Sequence, residues 1–480
     1  MYDRRIKTKI ICTIGPETES FEMQQRMAGA GMNIARLNMS HGDHDWHQRV
    51  IKHIRTLNRK IKFPVAIMLD TQGPEIRTGH LASDLDLKKG SVISIVVRGE
   101  SDPEETSIHI DYDDLIRTVQ AGDKITVDSG LINLEVLEKH ERMMRCRVLD
   151  GGVLKSKRHV NLPGVRVNLP AITKKDRRDI KFGIASDVDY IALSFVREAA
   201  DILQLKELLG NKVGKIKIIA KIEDEEGVKN VNEIIEQVDG VMVARGDLGV
   251  EIDVAETPMV QKHIIRKCQE YSRPVIVATQ MLDSMQNSSR PTRAEASDVA
   301  NAILDGTDAC MLSGETAIGG FPVESVKMMN RIMVNTESTL EQSVGSGAPR
   351  MAEGVQRVTS AVVFGAARIA DRLDAKLVVV ATRTGNTARI KAKQRDFIPT
   401  LGVSGDPQTL RQLCLFWGII PVIGMPLDGG VALRTAIEEW GRANGLLETD
   451  DYIVFVTSST YGPLGHDELF VHQIEDTATN

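Results

Sequence analysis

From residue 9 to residue 313 the chain repeats one pattern: a short, nearly uninterrupted apolar run, then a longer segment with apolar positions at helical spacing. The runs are KIICTIG (9–15), MNIARLN (32–38), VAIMLD (65–70), YIALSF (190–195), KIIAKIE (217–223), GVMVARG (240–246), PVIVATQ (274–280) and ACMLS (309–313). A strand that is apolar at every position, rather than at alternate ones, is covered on both faces, as the strands of a parallel sheet are. The segments between the runs, such as 258–271, carry the period of helices laid on that sheet. Eight such units predict a (β/α)8 barrel, and polar residues gather at the C-terminal ends of the runs, where barrel enzymes keep their chemistry.

Two stretches break this rhythm. Between 72 and 167, SVISIVV, KITVD, LINLEVLE and MMRCRVL are separated by the turn signals KKG, AGD and LDGG. They predict an all-β insertion after the third barrel strand, a small β-barrel domain placed to act as a lid. After SVGSGAP (343–349) a second α/β rhythm begins, with strands at KLVVVAT, TLGVSG and YIVFVTS. The predicted class is therefore α/β: a (β/α)8 TIM barrel at 1–71 and 168–345, a lid at 72–167 and a C-terminal α/β domain at 346–480. No sequence repeat or low-complexity segment stands out.

Length and composition narrow the class. At 480 residues and 52.9 kDa the chain exceeds one small core, which favours several domains. A formal net charge of −6 without a basic block argues against nucleic acid as a partner. With no apolar span long enough for a bilayer and no signal-peptide core, a cytoplasmic protein without a membrane partner is expected. Five cysteines, Cys12, Cys146, Cys268, Cys310 and Cys414, have neither metal-site nor disulfide-framework spacing.

The fifth run ends in Lys221 and Glu223, two apart and so on one face of a strand. Asp247 closes the next run in VMVARGDLG. Two carboxylates on neighbouring strand ends, completed by water and ligand oxygens, are a donor set Mg²⁺ favours. Two solvated acids at helix starts, with Asp247 as an N-cap, give the same pattern. Lys221 beside such an ion would stabilise charge on a phosphoryl group or an enolate oxygen, and a plain salt bridge to Glu223 is the alternative. Glycines around Asp247 allow close backbone approach to a ligand, and Thr279, in VIVATQML, can place a proton donor or a water. Across the mouth, ARLNMSHG supplies Arg36, suited to bidentate phosphate binding. Asn38, Ser40, Asp70 and Thr71 offer only oxygen ligands, as a large hard cation prefers, although a hydrogen-bonded turn accounts for them equally. In the C-terminal domain ATRTGNTAR leads from a strand into a basic helix. Thr382, Arg383, Thr384, Gly385, Asn386 and Thr387 form either a phosphate cradle, with Arg383 and Arg389 nearby, or a helix start capped by Thr384 or Asn386.

Taken together, CTIGP, ARLNMSHG, MLDTQGPEIRTG, VNLPG, KIIAKIE, VMVARGDLG, VIVATQML and RPTRAEASDVANAILDGTDACMLSGETAIGGFP, in this order from 12 to 322, closely resemble the pyruvate kinase family. The resemblance implies transfer of a phosphoryl group from phosphoenolpyruvate to ADP, giving pyruvate and ATP, the last step of glycolysis. It implies Mg²⁺ or Mn²⁺ on Glu223 and Asp247, with Lys221 stabilising the transition state and Arg36 on the transferring group. Phosphoenolpyruvate would meet the Gly246 and Asp247 backbone and the Thr279 hydroxyl, near the face where the enolate is protonated. Potassium would sit at Asn38, Ser40, Asp70 and Thr71, and Glu75 resembles the potassium-dependent branch, since relatives that do without potassium tend to carry lysine there. Asn38, His41, Arg77 and Arg158 resemble nucleotide contacts, and the segment Thr382 to Thr387 resembles an effector loop for a sugar phosphate or nucleotide. A homotetramer is implied as well.

Two places depart from the family pattern. Arg158 and His159 stand where lysine and glycine usually precede VNLPG, keeping the charge and losing a flexible residue. Asp224 stands where asparagine is frequent, adding negative charge beside the metal. The C-terminal TSSTYGPLGHDELFVHQIED follows the family only loosely. A magnesium-dependent lyase acting on pyruvate enolate would use the same Lys–Glu–Asp set without a nucleotide site, and a sugar-phosphate sensor would use only the third domain. Arg77 on the insertion argues against the first, and the intact Lys221, Glu223, Asp247 and Thr279 set against the second.

Overall fold

In the computed structural model, described over residues 6–97, 107–128, 130–165, 167, 169–343, 357–427, 430–457 and 468–475, the eight apolar runs form one closed parallel barrel. Its strands are β1 (Lys9–Thr13), β2 (Ile34–Asn38), β3 (Ala66–Asp70), β4 (Tyr190–Leu193), β5 (Lys217–Ile222), β6 (Gly240–Ala244), β7 (Val275–Ala278) and β8 (Ala309–Leu312), with β8 pairing back onto β1. Alternate side chains of each strand point to opposite faces. Ile10, Leu37, Ile67 and Val241 join the helix-covered core outside the barrel, while Ile11, Ile34, Met68 and Met242 fill its interior. Both faces being buried explains why the runs are apolar throughout.

The N-terminal end of the barrel holds a repeat that the sequence pattern did not disclose. Each even-numbered strand is preceded by Asn or Asp, and each of these closes a two-bond ring with the strand before it. Asn33 Oδ1 accepts from the Ile10 amide at 2.9 Å while the Asn33 amide donates to Ile10 O at 2.9 Å. Asp189 does the same with Ile67 (2.8 and 3.0 Å), Asp239 with Ile218 (3.0 and 2.9 Å) and Asp308 with Val275 (2.8 and 2.9 Å). An amide at the start of each odd-numbered strand, in its first or second residue, is satisfied by a short polar side chain one residue ahead of the next strand.

Between β3 and β4 lies the insertion. Its strands Ile76–Arg77, Val92–Val97, Ser107–Ile110, Lys124–Val127, Ile132–Lys139, Met143–Asp150 and His159–Asn161 form a seven-stranded sheet around its own core of Ile95, Ile108, Ile125, Leu134 and Cys146. A bridge between Thr78 and Ile110 joins the first strand of the sheet order to the last. Leu115–Thr118 adds one helical turn to a segment read from sequence as all-β.

The C-terminal domain contains β9 (Leu377–Ala381), β10 (Thr400–Val403), β11 (Ile419–Pro421), β12 (Tyr452–Thr457) and β13 (Glu468–Gln473), ordered β11-β10-β9-β12-β13 with only β13 antiparallel. The edge strands β11 and β13 were not predicted. The domain covers the N-terminal end of the barrel: Val363, Leu413 and Trp417 share one apolar cluster with the barrel interior, Lys9 Nζ donates to Ile419 O at 2.7 Å, and the Tyr190 hydroxyl donates to Gln412 O. The linker SVGSGAP beyond Ser343, and with it the predicted boundary at 345, lies outside the described residues, as does 458–467 of the loosely matching C-terminus. All five cysteines are buried and none forms a disulfide. Among the described residues no helix is long and apolar enough to cross a membrane.

Candidate active site

At the opposite end of the barrel, six side chains from the ends of five successive strands converge. Arg36 on β2 donates through Nε to Asp70 Oδ2 on β3 at 2.6 Å and through Nη1 to the Thr13 hydroxyl at 3.0 Å. Lys221 on β5 stands with its Nζ 3.1 Å from Asp70 Oδ1 and 2.9 Å from Glu223 Oε1, and it donates to Ser194 Oγ at 2.7 Å. Glu223 Oε2 accepts from the Phe195 amide at 2.6 Å. Arg36, Asp70, Lys221 and Glu223 are all buried, so these are low-dielectric charge contacts rather than surface pairs.

Each charge is tuned by its neighbours. Burial alone would lower the Lys221 ammonium, but Asp70 and Glu223 outweigh it and raise it above the ordinary lysine value. Burial opposes ionisation of Asp70, yet Lys221 and Arg36 hold its carboxyl below the usual carboxylate range. For Glu223 burial dominates; Lys221 resists, the charge of Asp247 adds to the upward push, and the carboxyl reaches about 7. Among these groups, three carboxylates share two cations. Asp70 Oδ1, fully buried, has no directed hydrogen bond among the described residues, its Lys221 contact being an ion pair only.

The other wall comes from β6 and β7. Helix Arg245–Glu251 follows β6 directly, with Ala244 at its N-cap position and Asp247 inside its first turn, so Asp247 is not the cap. Asp224 is one: it accepts from the Gly227 amide at 2.7 Å at the start of helix Glu225–Lys229, a role asparagine fills equally well. Thr279, just past β7, has φ 66° and Gln280 φ 54°, a left-handed backbone that costs a β-branched residue roughly 1–2 kcal/mol. Three bonds hold it there: Arg245 Nη2 donates to Thr279 O at 2.8 Å, the Gly246 amide donates to Thr279 Oγ1 at 2.7 Å, and that hydroxyl donates to Ala278 O at 2.6 Å.

Asn38 Oδ1 accepts from the Ser40 amide at 3.1 Å, and Thr71 Oγ1 accepts from the Ser194 amide at 3.1 Å while Ser194 Oγ donates to Thr71 O at 2.6 Å. Asn38 and Asp70 thus stand at the ends of the paired strands β2 and β3, with Ser40 and Thr71 in the hydrogen-bonded turns that follow them. His41 O accepts from His47 Nε2 at 2.9 Å in the turn that follows. Glu75 accepts from Arg77 (Nε 2.7 Å) and from Gln72 (3.0 Å), while Arg158 Nη1 reaches Asp128 Oδ1 at 3.5 Å. Arg77 faces His159 across paired strands at the root of the insertion.

The segment Thr382 to Thr387 is not part of this constellation. It lies at the C-terminal end of β9, in the domain that covers the far end of the barrel. Thr382 Oγ1 accepts from the Gly385 amide at 3.1 Å, and helix Asn386–Ala392 starts at Gly385 in the left-handed conformation (φ 85°). Neither Thr384 nor Asn386 caps it. Arg389, expected beside this loop, is half-buried and its guanidinium donates to Ser272 O on the barrel at 2.6 Å.

For a divalent ion the residues fit in kind. Among the described residues no cluster of three or more His, Cys, Asp or Glu forms a ready metal cage. Glu223 and Asp247 are near enough for one charge to perturb the other, and two carboxylates leave most of a coordination shell to water and substrate oxygens, as Mg²⁺ prefers. Sequence reasoning missed Thr13, Ser194 and Phe195, whose only signal was their place at the C-terminal ends of apolar runs.

A (β/α)8 barrel whose charged side chains gather at the C-terminal mouth has the arrangement of barrel enzymes, which keep their active sites there. Comparison with known proteins makes this specific: residues 5–326 match the family model for the pyruvate kinase barrel domain, and residues 360–471 that for the pyruvate kinase alpha/beta domain. The chain is 46% identical over 475 residues to a pyruvate kinase of Geobacillus stearothermophilus, covering 98% of this chain and 81% of that one. It is 43% identical over 480 residues to a pyruvate kinase of Staphylococcus aureus, covering 99% and 81%. The protein belongs to the pyruvate kinase family and is a phosphotransferase.

Proposed function

We propose that the protein transfers the phosphoryl group of phosphoenolpyruvate to ADP, giving pyruvate and ATP. The observation that carries this reading is the buried Lys221, held between Asp70 and Glu223 at a mouth short of positive charge. Mg²⁺ or Mn²⁺ held by Glu223 and Asp247, with K⁺ at Asn38, Ser40, Asp70 and Thr71, would supply the missing charge and polarise substrate and phosphoryl oxygens. Lys221 and Arg36 face the transferring group and stabilise its charge as the bond to the enol oxygen breaks and an oxygen of ADP takes over the phosphorus. The enolate left behind takes one proton at carbon, delivered directly or through water from the side of Thr279.

Asn38, His41, Arg77 and Arg158 bind the nucleotide between the barrel and the insertion, which closes as a lid and keeps water from the transferring group. Arg158 keeps the family's positive charge, shared here with Asp128. Glu75, paired with Arg77 rather than replaced by lysine, leaves the site dependent on potassium. The domain limits read from sequence, a homotetramer, cytoplasmic glycolysis, and activation by a sugar phosphate or nucleotide at Thr382 to Thr387 complete the proposal.

The test is a coupled assay for pyruvate from phosphoenolpyruvate with Mg²⁺ and K⁺ present. ADP-dependent turnover is expected, and its absence overturns the reading. Replacing K⁺ by Na⁺ is expected to cut turnover at least tenfold; undiminished turnover removes the role given to Glu75.

A further inference from the structure

Helix Arg245–Glu251 touches three parts of the molecule at once. Its first turn holds Thr279 through the Gly246 amide at 2.7 Å and the Arg245 guanidinium at 2.8 Å. Asp247 follows in that same turn. Glu251, four residues beyond Asp247 and so on the same face of the helix, meets the insertion: Nδ2 of Asn161, the last residue of the strand His159–Asn161, donates to Glu251 Oε1 at 2.6 Å. Val250 of the helix also lies beside Gly130 of the insertion.

This contact is narrow. Asn161 is 5% exposed, and its Oδ1 is buried without a hydrogen-bond partner among the described residues. A cavity of about 300 Å³, lined by Ile76, Leu162, Val165, Phe195 and Arg197 among others, opens beside it. The insertion therefore meets this helix through a small bridge with free space next to it, while Arg197 of the barrel donates to Val167 O at 2.8 Å at the insertion's other root. A buried amide with half its capacity unused is an expensive way to make one bond. That expense is understandable if the bond transmits position.

We propose that Glu251 is a positioning residue: its hydrogen bond to Asn161 makes the short helix a lever, so that seating the lid orients the Asp247 carboxylate toward the reacting groups. This inference rests on the lid and metal roles proposed above. About 6 Å of helix, four residues at 1.5 Å each, separates Glu251 from Asp247. A tilt at one end thus reaches the other within a single rigid element. The coupling also runs in reverse: an ion that fixes Asp247 steadies the lid.

The variants Glu251→Ala, Asn161→Ala, their combination, and Glu251→Gln, which keeps an acceptor for Asn161, test it in the full chain. Three quantities are read: Mn²⁺ affinity without phosphoenolpyruvate or nucleotide, amide hydrogen exchange over 159–161 and 245–251, and kcat and KM for ADP-dependent turnover. Each alanine variant is expected to weaken Mn²⁺ binding about tenfold, the usual scale for a residue supporting a metal ligand, and to speed exchange in both segments. The double variant should be no worse than either single one, and Glu251→Gln should stay within about threefold of the parent. Unchanged Mn²⁺ affinity and exchange over 245–251 in Asn161→Ala overturns the lever, as do single effects that multiply in the double variant. Either result in a parent chain that turns over phosphoenolpyruvate and ADP removes the lever alone, whereas a parent chain without ADP-dependent turnover removes the proposed function.

Discussion

The two ends of the barrel bury the same kinds of side chain and treat them oppositely. At the N-terminal end Asp308 accepts from the Val275 amide at 2.8 Å and from Lys393 at 2.6 Å on one oxygen, and from Arg395 at 3.0 Å on the other. Asp189 is likewise bonded on both oxygens, to the Ile67 amide and to Arg411 Nε, each at 2.8 Å. At the mouth, among the described residues, Asp70 Oδ1 has an ion pair to Lys221 and no directed hydrogen bond, and Asp70 and Glu223 pair with Lys221 and Arg36 alone among cations. A buried charge satisfied on all sides fixes structure; one left short attracts whatever completes it. The lower set clamps the C-terminal domain onto two strands of the barrel, and the upper set waits for ligands.

This contrast can be broken experimentally, beginning with the largest effect. Lys221→Met, nearly isosteric and uncharged, is expected to cut turnover by about 10³-fold or more, the scale of losing a preorganised charge at a reacting group, while circular dichroism stays that of the parent. An active variant would show that the mouth cluster is structural like its counterpart. Asp308→Ala should do the reverse. It strands Lys393 and Arg395 in a buried interface and should destabilise by about 3–5 kcal/mol in urea unfolding, with turnover per folded molecule unchanged.

Between these lies Glu251, whose carboxyl is pushed up from 4.5 to about 7 by burial, against the Asn161 bond and with help from Asp224 and Asp247. A raised carboxyl contributes stability that is complete below about pH 4.5 and disappears as pH rises through 7. Glu251→Gln should therefore lose that part of the pH dependence, and the difference between parent and variant should change by about 2 kcal/mol from pH 4.5 to 7.5. Identical pH profiles would contradict it. The smallest effect belongs to Asp239, which closes the same two-bond ring as Asp308 but has its other oxygen only 3.9 Å from Lys217 on a partly exposed side chain. Asp239→Ala should cost about 1 kcal/mol, the value of one hydrogen bond; a loss as large as that of Asp308→Ala would mean the ring, and not the interdomain clamp, carries the stability.

What could be read from sequence follows from where the information lies. Barrel strands were legible because burial on both faces makes whole runs apolar, and Lys221 with Glu223 because residues two apart on a strand share a face. The four Asn and Asp residues ahead of the even strands escaped notice: one residue in every second unit, with irregular spacing and two identities, makes no visible repeat. Ser194 and Phe195 carry no distinguishing chemistry until β4 and β5 are set side by side. Asn161 and Glu251 are 90 residues apart, a distance over which periodicity says nothing. The direction of the Arg389 guanidinium was hidden for a related reason, since a basic residue one turn into a helix can face its own loop or the domain below, and only packing decides.

The place of the insertion also bears on how the chain reaches this structure. The rings at Asn33, Asp239 and Asp308 join residues 23, 21 and 33 apart, whereas the ring of Asp189 with Ile67 joins residues 122 apart. Closing the longer loop from an unstructured chain costs about 1.5 kcal/mol more than closing the shortest ones. The inserted sheet removes most of that difference if it collapses first, because its paired outer strands bring the two ends of the interruption together. Barrel closure between β3 and β4 should then be the late, slow step, timed by the domain that interrupts it.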